Sequence, residues 1–221
     1  MQAFFQSLIS SATPVLPGAG LLRFALPGAW AIILACGLMW LGRRWPSRVR
    51  LGLATLVAVV TLLAGPWSPA YYLSLAFQMP SLMTLLICVG WAAGEISGKR
   101  PALSLKPLAP FVVVLGWLLL LDALALLPVS IYHWGFTSIA VAVVALLACL
   151  PWVAAGRASL GLLGSLLPGS LLTLAVLALF VMTRLPTGNL WDALMDPWLW
   201  FACQGWCLAR GWRYLRAVRT R

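Results

Sequence analysis

With 221 residues, 63% of them hydrophobic and only 9% charged, and a mean hydropathy of +1.00, the chain has too little polar surface to clothe a water-soluble globule. The net charge of +11 does not point to nucleic acid, because the fifteen basic residues sit in short clusters between apolar runs, where they orient a chain and meet anionic headgroups. The apolar runs, each roughly 18–23 residues long, match a hydrocarbon core about 30 Å thick at about 1.5 Å rise per residue. They predict an all-α, polytopic integral membrane helix bundle with about seven transmembrane helices, a single transmembrane domain over residues 1–221 in a cell (inner) membrane.

In chain order, residues 1–20 lack a basic leader region and a clear cleavage site, so they do not read as a signal peptide. Phe4, Phe5, Leu8 and Ile9 recur at helical spacing against Gln2, Gln6, Ser7 and Ser10, which predicts a short interfacial helix ended by Pro14 and Pro17. The first span is drawn over 24–42 and the second over 49–65, with Arg43, Arg44, Arg48 and Arg50 around the turn between them. Residues 66–80 carry Trp67, Tyr71, Tyr72 and Phe77, rings that suit a half-buried segment at the headgroup boundary. The third span covers 81–97; a proline-punctuated loop with Lys99, Arg100 and Lys106 leads to the fourth, 108–127. The fifth covers 136–155, the sixth 160–182 with Pro168 as a kink, and the seventh 196–212. Before the seventh, Asn189 and Asp192 have capping-box spacing, and Asp196 precedes Pro197 as an N-cap precedes a proline in the first helical position.

Counting charges sets the orientation. With the N-terminus outside, one side of the membrane receives thirteen basic residues, against Arg23 and Arg184 on the other, so the thirteen-residue side, with the C-terminus, is cytoplasmic. The tail arginines 210, 213, 216, 219 and 221 are then placed to snorkel toward anionic phospholipids, the predicted partners alongside the lipid bilayer itself and other membrane protein subunits.

The third span reads as an organising helix. Gly90, Gly94 and Gly98 lie at four-residue spacing, a pattern that lets helices approach closely in lipid, where packing replaces the missing hydrophobic drive. Gly161, Ser165 and Gly169 repeat the spacing in the sixth span. Glu95, the one glutamate, stands four residues before Lys99, a favourable helical pair worth a few tenths of a kcal/mol when exposed.

Chemistry-bearing motifs are scarce. None of GxxxxGK[ST], GxGxxG, HExxH, GxSxG or CxxC occurs, there is one histidine, and Cys36, Cys88, Cys149, Cys203 and Cys207 all fall in apolar spans as small hydrophobes. Neither a metal site nor a cofactor is predicted. Asp122 resists a bland reading: six residues before Pro128, it lies roughly 9 Å below the outer end of its span, where a charge costs about 2.5–3.5 kcal/mol and needs a partner. The partners available on the same side are Arg184, His133, Tyr132 and Asn189, with Arg184 first because an opposite charge best offsets desolvation. Three function classes fit this content. The scarcity of reactive groups favours a non-catalytic accessory or scaffold subunit of an envelope assembly for lipid or polysaccharide synthesis or export. The alternatives are a small proton- or ion-coupled transporter using Asp122, and a lipid-modifying membrane enzyme with Asp122 and His133 as acid and base.

Overall fold

Apolar runs punctuated by Pro, Gly and Ser form helices wherever the backbone can satisfy its own N–H and C=O groups. In the computed structural model, residues 14–98, 108–155 and 161–219 are described, apart from the side chains of 154, 155, 161–165 and 219. Most of the predicted interfacial helix and the Lys99–Lys106 loop fall outside them. The described helices are α1 (Ala19–Leu41), α2 (Ser47–Thr61), α3 (Pro69–Phe77), α4 (Leu82–Ile96), α5 (Ala109–Ala123), α6 (Ile131–Trp134), α7 (Ser138–Ala155), α8 (Gly161–Thr183), α9 (Leu190–Leu194) and α10 (Pro197–Arg219), with a 3-10 turn at Gly65–Trp67. The fold is all-helical, with no strand among the described residues. Each of the seven apolar stretches contains a long helix, but among the described residues two are long and apolar enough to cross a membrane: α1, and α8 from Leu166 to Thr183. Their apolar windows are only 28% and 33% buried, whereas the core helix of a water-soluble protein would be mostly enclosed.

Helix ends depart from the sequence-drawn boundaries for local reasons. α1 begins at Ala19, as soon as Pro14 and Pro17 are passed, and tolerates Pro27 within. α2 stops at Thr61, short of residue 65, because Ser68 turns back to donate its hydroxyl to the Thr61 carbonyl at 2.6 Å. The aromatic 66–80 segment is itself partly helical: Ser68 accepts from the Ala70 N–H as the N-cap of α3, with Pro69 in the first position. α10 runs without a break to Arg219, past the boundary at 212.

Of the described residues, 15–98 and 175–194 make one compact unit. Within it α1 is the central element, packed by α2, α3 and α4, so the organising role read onto the third span belongs to the first. Polar contacts tie successive levels of the unit. The buried Trp30 indole donates to the Gln78 carbonyl at 2.8 Å, Cys36 Sγ donates to the Cys88 carbonyl at 3.4 Å, and Arg50 pairs with Glu95 at 3.3 Å. Gln78 holds φ 58, ψ −140 to present that carbonyl, a conformation side chains other than glycine rarely adopt. α4 packs on α1 and touches α9. Gly98 is not part of its stripe: it lies beyond the helix end with φ +66, where a residue without Cβ reverses the chain at no steric cost.

Of the described residues, 108–155, 161–174 and 195–219 belong to the second unit. Two of its described glycines make close approaches, Gly116 outside the spaced stripes and Gly169 within one. At Gly116 of α5 a Cβ would run into the Trp200 indole of α10, and at Gly169 it would run into the Leu108 side chain. The Trp200 ring also stands edge-on to Trp117 at 5.3 Å and donates Nε1–H to the Val113 carbonyl at 3.3 Å. The side-chain surroundings of Gly161 and Ser165 lie outside the described residues.

Candidate functional site: polar residues at the helix ends

The polar residues singled out from sequence fall into two clusters, one in each unit. The first is built on the end of α5. Ala125 takes φ +55, its N–H bonds to the Asp122 carbonyl at 2.8 Å, and the Leu126 N–H reaches back to the Leu121 carbonyl at 2.9 Å. This is a Schellman termination with alanine where glycine is usual. It turns the chain so that residues 130–133 return beside Asp122. There Asp122 Oδ2 accepts from the Tyr132 backbone N–H at 2.6 Å and from the Ser130 hydroxyl at 3.3 Å. Ser130 is in turn the N-cap of α6, accepting from the His133 N–H at 3.4 Å. The carboxylate thus ties residues 130–132 to the end of α5 through the Ser130 hydroxyl and the Tyr132 N–H. The Tyr132 ring packs edge-on to Phe136 at 5.9 Å.

The second cluster follows α8. Arg184 has φ 58, donates its N–H to the Phe180 carbonyl at 2.7 Å, and lays its guanidinium over the Phe180 ring, 5.3 Å from the centroid. Burial pushes its pKa below the ordinary arginine value. The Gly188 N–H closes the next turn onto the Arg184 carbonyl at 2.7 Å; Gly188, at φ +85, lies against the Val15 carbonyl, where a Cβ would collide. Asn189, fully buried, caps α9 by accepting the Trp191 N–H at 2.9 Å. The predicted capping box is closed by a residue the sequence reading left out: Thr187 Oγ1 accepts from the Asn189 N–H at 3.2 Å and donates to Asp192 Oδ2. Asp196 caps α10 as its spacing before Pro197 predicts, accepting the Leu199 N–H at 2.8 Å.

Asp122, Tyr132 and His133 are therefore brought to one turn, while Arg184 and Asn189 share another. Ser130 and Thr187 were missed, although a hydroxyl immediately ahead of a short helix segment, or just before Gly-Asn, is a readable capping signal. No group of three or more His, Cys, Asp or Glu able to hold a metal ion occurs among the described residues. No protein-family model, curated protein or solved structure matches the chain.

The Asp122 contacts make a specific prediction. Asp122→Asn keeps an oxygen for the Tyr132 N–H and is expected to hold near-parental stability, whereas Asp122→Ala removes the acceptor and should cost about 0.5–2 kcal/mol, the usual value of a lost cap. Reversible unfolding in detergent micelles measures both. If Asp122→Asn folds like the parent but fails to complement a deletion strain, the carboxylate charge itself has a role beyond closing the turn.

Proposed function

We propose that the chain is a multi-pass inner-membrane protein of seven spans, N-terminus outside and C-terminus cytoplasmic, acting as a non-catalytic accessory or scaffold subunit of an envelope assembly. The observation that carries this reading is where the acids go. All four carboxylates of the chain are engaged in holding helices: Glu95 on Arg50, Asp122 on the start of α6, Asp192 on Thr187, and Asp196 on the start of α10. Helix caps and a counter-charge account for each of these acids without calling on catalysis or proton transfer. The largely uncovered apolar helices support the bilayer as surrounding solvent, and the order of contacts along α1, α2 and α4 supports alternating crossings, because it brings Arg50 at the start of α2 to Glu95 near the end of α4. Its partners in this reading are the lipid bilayer, anionic phospholipids and other membrane subunits.

Two measurements test it. A C-terminal fluorescent-protein fusion is expected to be bright and a C-terminal periplasmic-phosphatase fusion inactive; the reverse would mean an even number of crossings. Purification in mild detergent with mass spectrometry should recover one or more membrane proteins in fixed ratio. A chain that purifies alone and drives ion-coupled uptake in vesicles would instead be a transporter, and one that turns over a lipid substrate alone would be an enzyme.

A further inference from the structure

We propose that the C-terminal half of α10 is a binding surface for anionic phospholipid headgroups, with Arg210, Arg213 and Arg216 as its phosphate ligands; this deepens, and rests on, the membrane reading above. The first argument is length. Only residues 197–209 of α10 precede the first arginine, about 20 Å of helix against a hydrocarbon core about 30 Å thick. A helix capped at Asp196 on the outer side would therefore bring its arginines in before the inner boundary is reached, unless headgroups are drawn up to meet them.

The second argument is distribution. At 3.6 residues per turn, positions 210, 213, 216 and 219 each step back by about 60°, sweeping half the helix circumference, while Cys207, Leu208, Gly211, Tyr214, Leu215 and Val218 occupy the rest. Residues 208–218 are exposed, and α10 contains no Asp or Glu to neutralise the arginines from its own helix. Charge spread over half a circumference suits phosphates arriving from many lipids; a single acidic partner helix would call for a narrow stripe.

The third argument is side-chain direction. Arg210 lies over the Trp206 ring at 5.5 Å, Arg216 over the Trp212 ring at 5.1 Å, and Arg213 Nε donates to the Ala209 carbonyl at 3.2 Å. All three fold back one turn toward the N-terminal, apolar end of the helix. That puts cation and indole at one level, as the boundary between acyl chains and headgroups requires.

The test uses the full chain. Membranes are first washed with alkaline carbonate; protein that washes off overturns the membrane reading itself and this proposal with it. Retained protein is purified in a non-ionic detergent and melted with phosphatidylglycerol, phosphatidylcholine or inorganic phosphate. Phosphatidylglycerol should raise the melting temperature, and the other two should not. An Arg210→Gln, Arg213→Gln, Arg216→Gln variant should melt like the parent without lipid and lose most of the phosphatidylglycerol shift, while an Arg43→Gln, Arg44→Gln, Arg48→Gln variant should keep it. An equal shift with phosphatidylcholine or with phosphate alone, or a shift undiminished in the α10 variant, overturns the lipid site and leaves the membrane reading standing. If the triple α10 variant does not fold, native mass spectrometry of Arg213→Gln and Arg216→Gln decides: fewer retained phosphatidylglycerol molecules than the parent supports the site, and an equal number overturns it. Absence of any lipid shift in the parent, with an acidic protein lost from pull-downs of the variant, would reassign the surface to that protein.

Discussion

Glu95→Ala is expected to destabilise the protein by about 1–3 kcal/mol, because it leaves a mostly enclosed guanidinium without its counter-charge. The Arg50 side chain is 14% exposed and that of Glu95 31%, with 3.3 Å between Nη1 and Oε2. Arg50 Nε is buried and already lacks a hydrogen-bond acceptor, so little else is at hand to solvate the cation once the carboxylate is gone. Glu95→Gln should fall close to Glu95→Ala, since an amide oxygen supplies a hydrogen bond and no charge. Replacing both partners, Arg50→Met with Glu95→Leu, should recover most of the loss, as paired apolar replacements do when the shapes are similar. The measurement is unfolding in micelles of the two single variants and the double. The competing account is the helical pair with Lys99, under which Glu95→Ala would cost a few tenths of a kcal/mol and Lys99→Ala the same. A small loss at Glu95, or a double variant no better than the worse single one, sinks the Arg50–Glu95 pair.

That pair shows where sequence reasoning stopped. Apolar length and punctuation are local properties, and they located the helical stretches and the all-α class; local spacing likewise exposed the caps at Asn189 and Asp196. Partner choice depends on which helices meet. Lys99, four residues after Glu95, lies outside the described residues, and the partner that the structure gives Glu95 is Arg50 on α2, which i,i+4 arithmetic cannot see. The same limit applies to Asp122, whose carboxylate is accounted for by a turn only eight to ten residues downstream: an alanine accepted the left-handed backbone that closes it, where glycine would have flagged the reversal. Four-residue spacing misled in the third span for a related reason, since Gly98 serves the helix end rather than a contact face. In the sixth, Gly169 lies against the Leu108 side chain, and the side-chain surroundings of Gly161 and Ser165 lie outside the described residues. Gly116 carried no periodic signal, because its contact is with one large ring rather than with a second backbone.

Gly116 and Trp200 give the second large effect. The indole lies where a Gly116 side chain would have to start and is fixed by the Val113 carbonyl and the Trp117 ring, so it cannot move aside without breaking a hydrogen bond and an aromatic contact. Gly116→Leu should therefore cost about 1–3 kcal/mol through overpacking. Trp200→Ala should cost about 3–5 kcal/mol, because the ring's contacts are lost and a cavity opens beside a bare glycine. These two changes are mutually compensating in volume: with the ring gone, the leucine enters vacated space, so the double variant is expected to be more stable than Trp200→Ala alone. The coupling between the two positions, read from a double-mutant cycle by unfolding in micelles, should be favourable and of the order of 1–3 kcal/mol. Gly205→Leu is the control on the same helix pair, since nothing lies within 4 Å of a Cβ built there. Should Gly116→Leu prove as stable as Gly205→Leu, or the two α5–α10 substitutions simply add, the indole does not lie against Gly116 and α5 and α10 are held together by some other contact.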